Sequence, residues 1–420
     1  MKAILGLAWA SLLNRRGTAA LTVFAIAASV ALLLGVEKVR TEARASFAST
    51  ISGTDLIVGA RSGATQLLLY SVFRIGNATN NISWRSYQRI AKNPNVAWTI
   101  PLSLGDSHRG YRVVGTSKAF FDHYRYGRKQ NLAFAQGKPF DDLFDAVIGA
   151  DVAEELDYAV GDPMVVAHGL GAEGFREHDD RPFRVAGILA RTGTPVDRAV
   201  HVSLEGIEAI HVDWQGGSRI PGMKTGEDRL REMDLTPRQV TAVLVGLKSR
   251  FATFDLQRQI NEDRREPLLA ILPGVALQEL WDLMSTAETA LGAISVMVVT
   301  TGLLGMLIML LAGLGERRRE MAILRSVGAR PAHVFGLLTS EALLLTITGT
   351  LLGVLLLYVG LVIAQPIASA EFGLHLTVAP PTGRDFMLLG LVILGGLFAG
   401  SIPAWRASRQ SLADGLIVRS

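Results

Sequence analysis

The sequence predicts an integral membrane α-helical protein: four transmembrane helices, with a large extracytoplasmic α/β domain inserted between helices 1 and 2. Three observations predict this class. Apolar residues make up 49% of the 420 residues and are concentrated in long uncharged runs rather than spread as alternating faces. The arginines cluster beside those runs. Between the first and second runs lies a stretch with the mixed strand and helix texture of a folded domain.

Composition narrows the class further. The formal charge of +4 is small for this length, so the basic clusters beside apolar spans point to a membrane surface, with membrane lipid as a partner, and not to nucleic acid. There are no cysteines, which excludes disulfides, thiolate metal sites and cysteine nucleophiles.

Along the chain, residues 1–16 carry Lys2, Ile4, Leu5, Leu7, Trp9, Leu12 and Leu13, the pattern of a short cytoplasmic interfacial helix with Trp9 at headgroup level. A helix crossing the hydrocarbon core needs about 20 mostly apolar residues. Residues 17–36 supply the first. Although Ala43-Arg44-Ala45 resembles a signal cleavage site, the apolar core is too long for a signal and Glu37, Lys38, Arg40 and Glu42 intervene, so the span is read as a retained anchor.

Residues 37–288 form the extracytoplasmic domain. Strand-like runs at Tyr111–Val114, Ala146–Ile148, Met164–Val166 and Phe183–Leu189 are separated by turn signals such as Gly161-Asp162-Pro163. Residues 37–51 and 255–288 read as charged or amphipathic helices, stalks that extend the first and second spans.

The second span is 289–315 and the third is 334–370, with Glu341 near its start; a short extracytoplasmic loop, 371–385, leads to the fourth span, 386–405, and a tail, 406–420. Arg15 and Arg16 precede the first span, Arg317, Arg318, Arg319, Arg325 and Arg330 separate the second from the third, and Arg406, Arg409 and Arg419 follow the fourth. If every span crosses, these clusters share one side, which the positive-inside rule makes the cytoplasm. Both termini are then cytoplasmic, in a multi-pass protein of the inner membrane.

The hairpin at 316–333 carries the strongest functional signal. From Glu316 to Val327 the pattern is helical, and Met321, Ile323, Leu324 and Val327 gather toward one side while arginines and glutamates occupy the rest. Gly328 can end that helix and Pro331 can start the next. A plain positive-inside loop would need neither the apolar face nor the terminating glycine, so the segment is read as a docking helix for a cytoplasmic partner. Glu341 is expected to lie at the cytoplasmic boundary and to bond one of the hairpin arginines, because a carboxylate at membrane depth needs a partner.

Other motifs are weaker. Gly349/Gly353 and Gly396/Gly400 form G-x-x-x-G spacings that allow close helix packing. Gly217, Gly222, Lys224 and Thr225 come near a phosphate-binding loop, but Met223 breaks the required Gly-Lys pair, so no ATPase is expected within this sequence. No G-x-S-x-G or H-E-x-x-H is present, and a non-catalytic subunit is expected. His168, His178, Asp180 and His201 are the candidates for a divalent metal, though a solvated polar loop is the preferred reading and no metal is assigned.

At the hairpin, Glu316, Arg317, Glu320, Met321, Ile323, Gly328 and Ala329 match the pattern E-R-x-x-E-I-x-I-x-x-x-x-G-A, and Glu341-Ala342 opens the next span as expected for it. Ile402-Pro403-Ala404-Trp405-Arg406-Ala407, then Asp414-Gly415-Leu416, match a closing stretch in which Ser411-Leu412 replaces the usual Asp-Pro. Asn14-Arg15-Arg16 and Gly53-Thr54-Asp55-Leu56-Ile57-Val58-Gly59 extend the likeness. In these residues the sequence resembles the FtsX-like permeases of MacB-type (type VII) ABC transporters.

The resemblance implies a homo- or heterodimer with a second permease subunit and a cytoplasmic ABC ATPase dimer gripping the hairpins. ATP and Mg would sit on that partner, with no cofactor on this chain. Glu316, Arg317, Arg318, Glu320, Ile323, Leu324, Arg325 and Gly328 would then couple the two by mechanotransmission. It also implies a periplasmic adaptor or substrate-binding protein, and an outer domain built of a mixed α/β lobe and a smaller β-rich one. With no fused ATPase domain expected, the organisation is similar to that of the LolC/LolE lipoprotein-release permeases.

Three functions follow as expectations. The first is a permease that exports or extracts a hydrophobic, peptide or lipoprotein cargo. The second is an FtsX-like transmembrane regulator of an extracytoplasmic partner, against which the length of 37–288 argues. The third is a zinc-linked transport system.

Overall fold

The structure is a computed structural model, and it describes residues 2–169, 181–215, 218–219, 225–316, 318–372 and 379–409. The chain divides into two compact units, Met1–Ala43 with Ser285–Ser420, and Arg44–Met284. The fold class is the one read from the sequence: four helices long and apolar enough to cross a membrane, with a mixed-sheet domain between the first and second.

The four spanning helices are longer than their apolar runs. The first-span helix is Arg16–Thr50, the second Pro273–Glu316, the third Pro331–Phe372 and the fourth Gly383–Ser408. A bilayer core is crossed by about 20 residues, so the first two helices carry the chain well past it. No proline interrupts the first, and proline opens the second and third, where a missing N–H leaves no orphan donor. The fourth starts with a capping box: the Thr382 side chain accepts from the Asp385 amide while the Asp385 carboxylate accepts from the Thr382 amide.

The interior of this unit draws on all four spans, through Ile26, Val30 and Leu34, Met306 and Leu310, Ala342 and Leu345, and Val392. A shorter helix, Lys2–Asn14, precedes them; Ala8 is buried while Leu7, Trp9 and Leu13 stay exposed.

The other unit is built on an 11-stranded sheet. Its order runs Leu268–Ile271, Leu56–Ala60, Ala242–Leu247, Val96–His108, Tyr111–Thr116, Ala199–Ser203, Asp145–Ile148, Phe183–Leu189, Phe134–Gly137; Ala167–His168 pairs with the long fourth strand and Pro163–Met164 with Phe183–Leu189. Most pairs are antiparallel, but Ala199–Ser203 runs parallel to Tyr111–Thr116, and Phe183–Leu189 parallel to Asp145–Ile148.

Strand Leu56–Ala60 shows why the apolar runs here are continuous: it is buried on both faces, with Ile57 in one core cluster and Leu56 and Val58 in another. A third cluster, around Val113, Ile148, Phe183 and Val202, fills the other half of the sheet. Gly59 lets a helix approach, since a Cβ there would stand 2.6 Å from Leu67 Cδ1 and 2.8 Å from the Tyr70 hydroxyl.

One expectation is corrected. Residues 255–288 are not a single helical stretch: a helix, Thr253–Asn261, is followed by the edge strand Leu268–Ile271, and the second-span helix starts only at Pro273. Pro267 and Pro273 bracket a five-residue apolar run too short to hold a helix, and its backbone at Leu268–Ile271 pairs with Leu56–Ala60 instead.

Candidate functional site

The hairpin is built from a helix, Arg318–Ser326, set between the end of the second-span helix at Glu316 and the start of the third at Pro331. Its C-terminus is locked by backbone geometry. The Gly328 amide donates to the Arg325 carbonyl at 3.1 Å and the Ala329 amide to the Leu324 carbonyl at 3.0 Å, the paired bonds of a Schellman motif. Gly328 sits at φ +102°, where a side chain would be strained. Two residues on, the Arg330 amide donates to His333 Nδ1 at 3.2 Å, so the next helix begins with its imidazole in the place a glutamate holds in a capping box.

Packing divides the hairpin's apolar residues, which correct the expectation of a single shared side. Met321 and Ala322 are buried; Met321 belongs to a cluster with Leu314 of the second-span helix, Val334 and Leu338 of the third, and Ala404 and Ala407 of the fourth. Ile323 and Val327 face the other way, 52% and 83% exposed. They lie one helical turn apart, and Glu320 and Ser326 beside them are also exposed. Leu324 and Arg325 are half-buried. Arg317 lies outside the described residues, as do the side chains of Glu316 and Arg318.

Sequence reasoning quoted Ala404 and Ala407 in the closing stretch but gave them no packing role, and they seat the hairpin through Met321. A signal existed, because Ala404 and Ala407 are small residues three apart and share a helix face. Glu341 is buried within the third-span helix, as a carboxylate needing a protein environment must be. The matching residues Asp414, Gly415 and Leu416 lie outside the described residues.

The four glycines of the G-x-x-x-G spacings all lie at helix contacts. A Cβ on Gly349 would stand 2.8 Å from Ile26 Cβ, and one on Gly353 would stand 2.7 Å from the Ala27 carbonyl oxygen, so both face the first-span helix. Gly396 faces Thr346 and Gly400 faces Ala342, so the third and fourth spans meet there.

Among the described residues, the metal candidates form no cluster. His168 stands opposite Asp106 in a strand pair, and His178 and Asp180 lie outside the described residues. His201 is fully buried and stacked on Phe120, with ring centroids 4.7 Å apart. Burial, then the Arg74 guanidinium, push its pKa down to about 3, leaving a neutral core ring. Among the described residues, no three histidines and carboxylates converge on a metal-sized space. Gly217, Gly222 and Lys224 of the loop resembling a phosphate cradle lie outside the described residues, and the Thr225 hydroxyl donates to Asp213 at 2.7 Å.

This architecture of a mixed-sheet domain between the first two of four spans, with a hairpin helix between the second and third, matches two family models. Residues 19–262, more than half of the chain, match the MacB-like periplasmic core domain, and residues 292–412 match the FtsX-like permease C-terminal domain. The chain belongs to the MacB-type ABC transporter permease family.

Among relatives, the macrolide export ATP-binding/permease protein MacB of Nitrobacter winogradskyi is 24% identical over 417 residues, covering 94% of this chain and 57% of that one. MacB of Azoarcus sp. (strain BH72) is 24% identical over 404 residues, covering 93% and 55%. The chain thus spans little more than half the length of these relatives. The crystal structure of the periplasmic region of MacB from Actinobacillus actinomycetemcomitans aligns with 55% of this chain and 94% of that one, at a TM-score of 0.35 and 11% identity. Within the MacB-type fold, the hairpin belongs to the FtsX-like part and the candidate histidines to the periplasmic core.

Proposed function

We propose that this chain is a permease subunit whose hairpin docks a separate cytoplasmic ABC ATPase and carries its closure, through the spanning helices, to the domain at 44–284. The observation that carries the reading is the two-sided hairpin helix. One side is buried, with Met321 packed against the ends of three spans, while Ile323 and Val327 present an exposed apolar pair. Exposed apolar residues on a helix locked at its C-terminus by the Gly328 turn suit a protein–protein contact, because less ordering entropy remains to be lost on binding.

The cargo is proposed as hydrophobic, peptide or lipoprotein in nature, handled on the extracytoplasmic side. Two MacB relatives are named for macrolide export, a hydrophobic class, and that supports the hydrophobic option. A second permease subunit and a periplasmic adaptor or substrate-binding protein complete the proposed assembly.

The test is co-purification from native membranes with Ile323→Asp and Val327→Asp combined. Loss of the ATPase from the purified complex, with membrane insertion and thermal stability unchanged, is expected. An ATPase that stays bound and stimulated would remove the docking role.

A further inference from the structure

At the end of the bundle far from the hairpin, the first-span helix buries a charge. Lys38 is 6% exposed and Asp385, in the first turn of the fourth-span helix, 3%. The Lys38 ammonium donates to the carbonyl oxygens of Ala379 and Pro380, both at 3.3 Å, and faces Asp385 Oδ2 at 3.6 Å. The two carbonyls take two of the ammonium's three N–H donors, and the carboxylate at 3.6 Å pairs with its charge. The same carboxylate oxygen accepts from the Thr382 amide at 2.7 Å and its hydroxyl at 3.0 Å.

A second, more exposed layer lies over the first. Arg384 pairs with Glu37 at 2.8 Å, Glu37 with Arg40 at 2.9 Å, and Arg40 reaches Glu288 of the second-span helix at 3.9 Å. The Tyr358 hydroxyl of the third-span helix donates to the Ala379 carbonyl at 2.9 Å. All four spanning helices therefore enter one polar network. Asp385 would cap its own helix without Lys38, so the lysine is not needed for the cap, and a buried lysine without acceptors would be strongly destabilising.

We propose that Lys38 is a positioning residue: it clasps the 379–382 backbone and the start of the fourth-span helix onto the first-span helix, and the closed clasp keeps water out of this end of the bundle. The inference rests on the bundle alone and is independent of what docks at the hairpin. Removing the ammonium leaves the Pro380 carbonyl without its donor, the Ala379 carbonyl with only Tyr358 and a buried carboxylate with only Thr382, and water becomes the replacement partner.

The chain has no cysteine, so a single thiol reports water entry cleanly. Leu361, buried one turn beyond Leu357, which packs on Gly35, is the reporter position. The full chain carrying Leu361→Cys is placed in nanodiscs and its labelling by an impermeant maleimide is timed. Lys38→Met is expected to speed labelling about tenfold while Lys38→Arg stays near the parent rate, and Leu345→Cys, deeper in the core, is unchanged by Lys38→Met.

If the Met variant is not recovered, Glu37→Arg is expected to speed labelling by about threefold, and adding Arg384→Glu to return it toward the parent. Labelling at the parent rate in Lys38→Met, equal acceleration by Lys38→Arg, matching acceleration at Leu345→Cys, or no rescue by the Glu37/Arg384 exchange would each overturn the proposal.

Discussion

Gly400 of the fourth-span helix lies against Ala342 of the third so closely that a methyl group added to the glycine would overlap the Ala342 Cβ. Between lipid-soluble helices the hydrophobic effect gives no preference for one contact over another, so close backbone approach supplies the attraction.

Gly400→Val therefore destabilises the purified chain by about 1–3 kcal/mol, read as a fall in its thermal midpoint in detergent. Gly305→Ala is the matched control. It has open space around the added methyl and leaves the midpoint unchanged or slightly higher.

Gly328→Ala places a side chain at φ +102° and strains the lock that ends the hairpin helix. The expected loss is about 1 kcal/mol of local stability, seen as faster amide hydrogen exchange at Val327, Gly328 and Ala329. Exchange in the fourth-span helix stays at the parent rate.

His201 makes stability fall on acidification. Its pKa is about 3 in the folded protein against an ordinary value of 6.5, so between those limits the unfolded chain binds a proton that the folded chain does not. Stability is fully present above pH 6.5 and declines as pH falls toward 3. From pH 6.5 to 4.5 this group accounts for about 2–3 kcal/mol. His201→Phe keeps the stack on Phe120 and removes that part of the slope, which denaturant titrations of parent and variant at both pH values would show.

The sequence made the four spans legible because about 20 uncharged residues in a row have few other uses, and the hairpin legible because Gly328 and Pro331 punctuate it. Other features depended on contacts that no local pattern records. Leu268–Ile271 reads like part of a helix until its partner Leu56–Ala60, far away in the chain, is known. Ile323 and Val327 carry the same apolar character as Met321, and only the placement of Ala404 and Ala407 decides which of them is covered. Lys38 and Asp385 look like ordinary flanking charges, because the Ala379 and Pro380 carbonyls and the Asp385 carboxylate reach the ammonium only when the first and fourth spans meet.

The account depends on the exposed pair at the hairpin facing the cytoplasm. Val327→Cys in the cysteine-free chain, treated with impermeant maleimide in intact cells and in inside-out vesicles, measures this directly. Labelling only in the vesicles, reduced when the ATPase is bound, is the predicted result. Labelling in intact cells would contradict it.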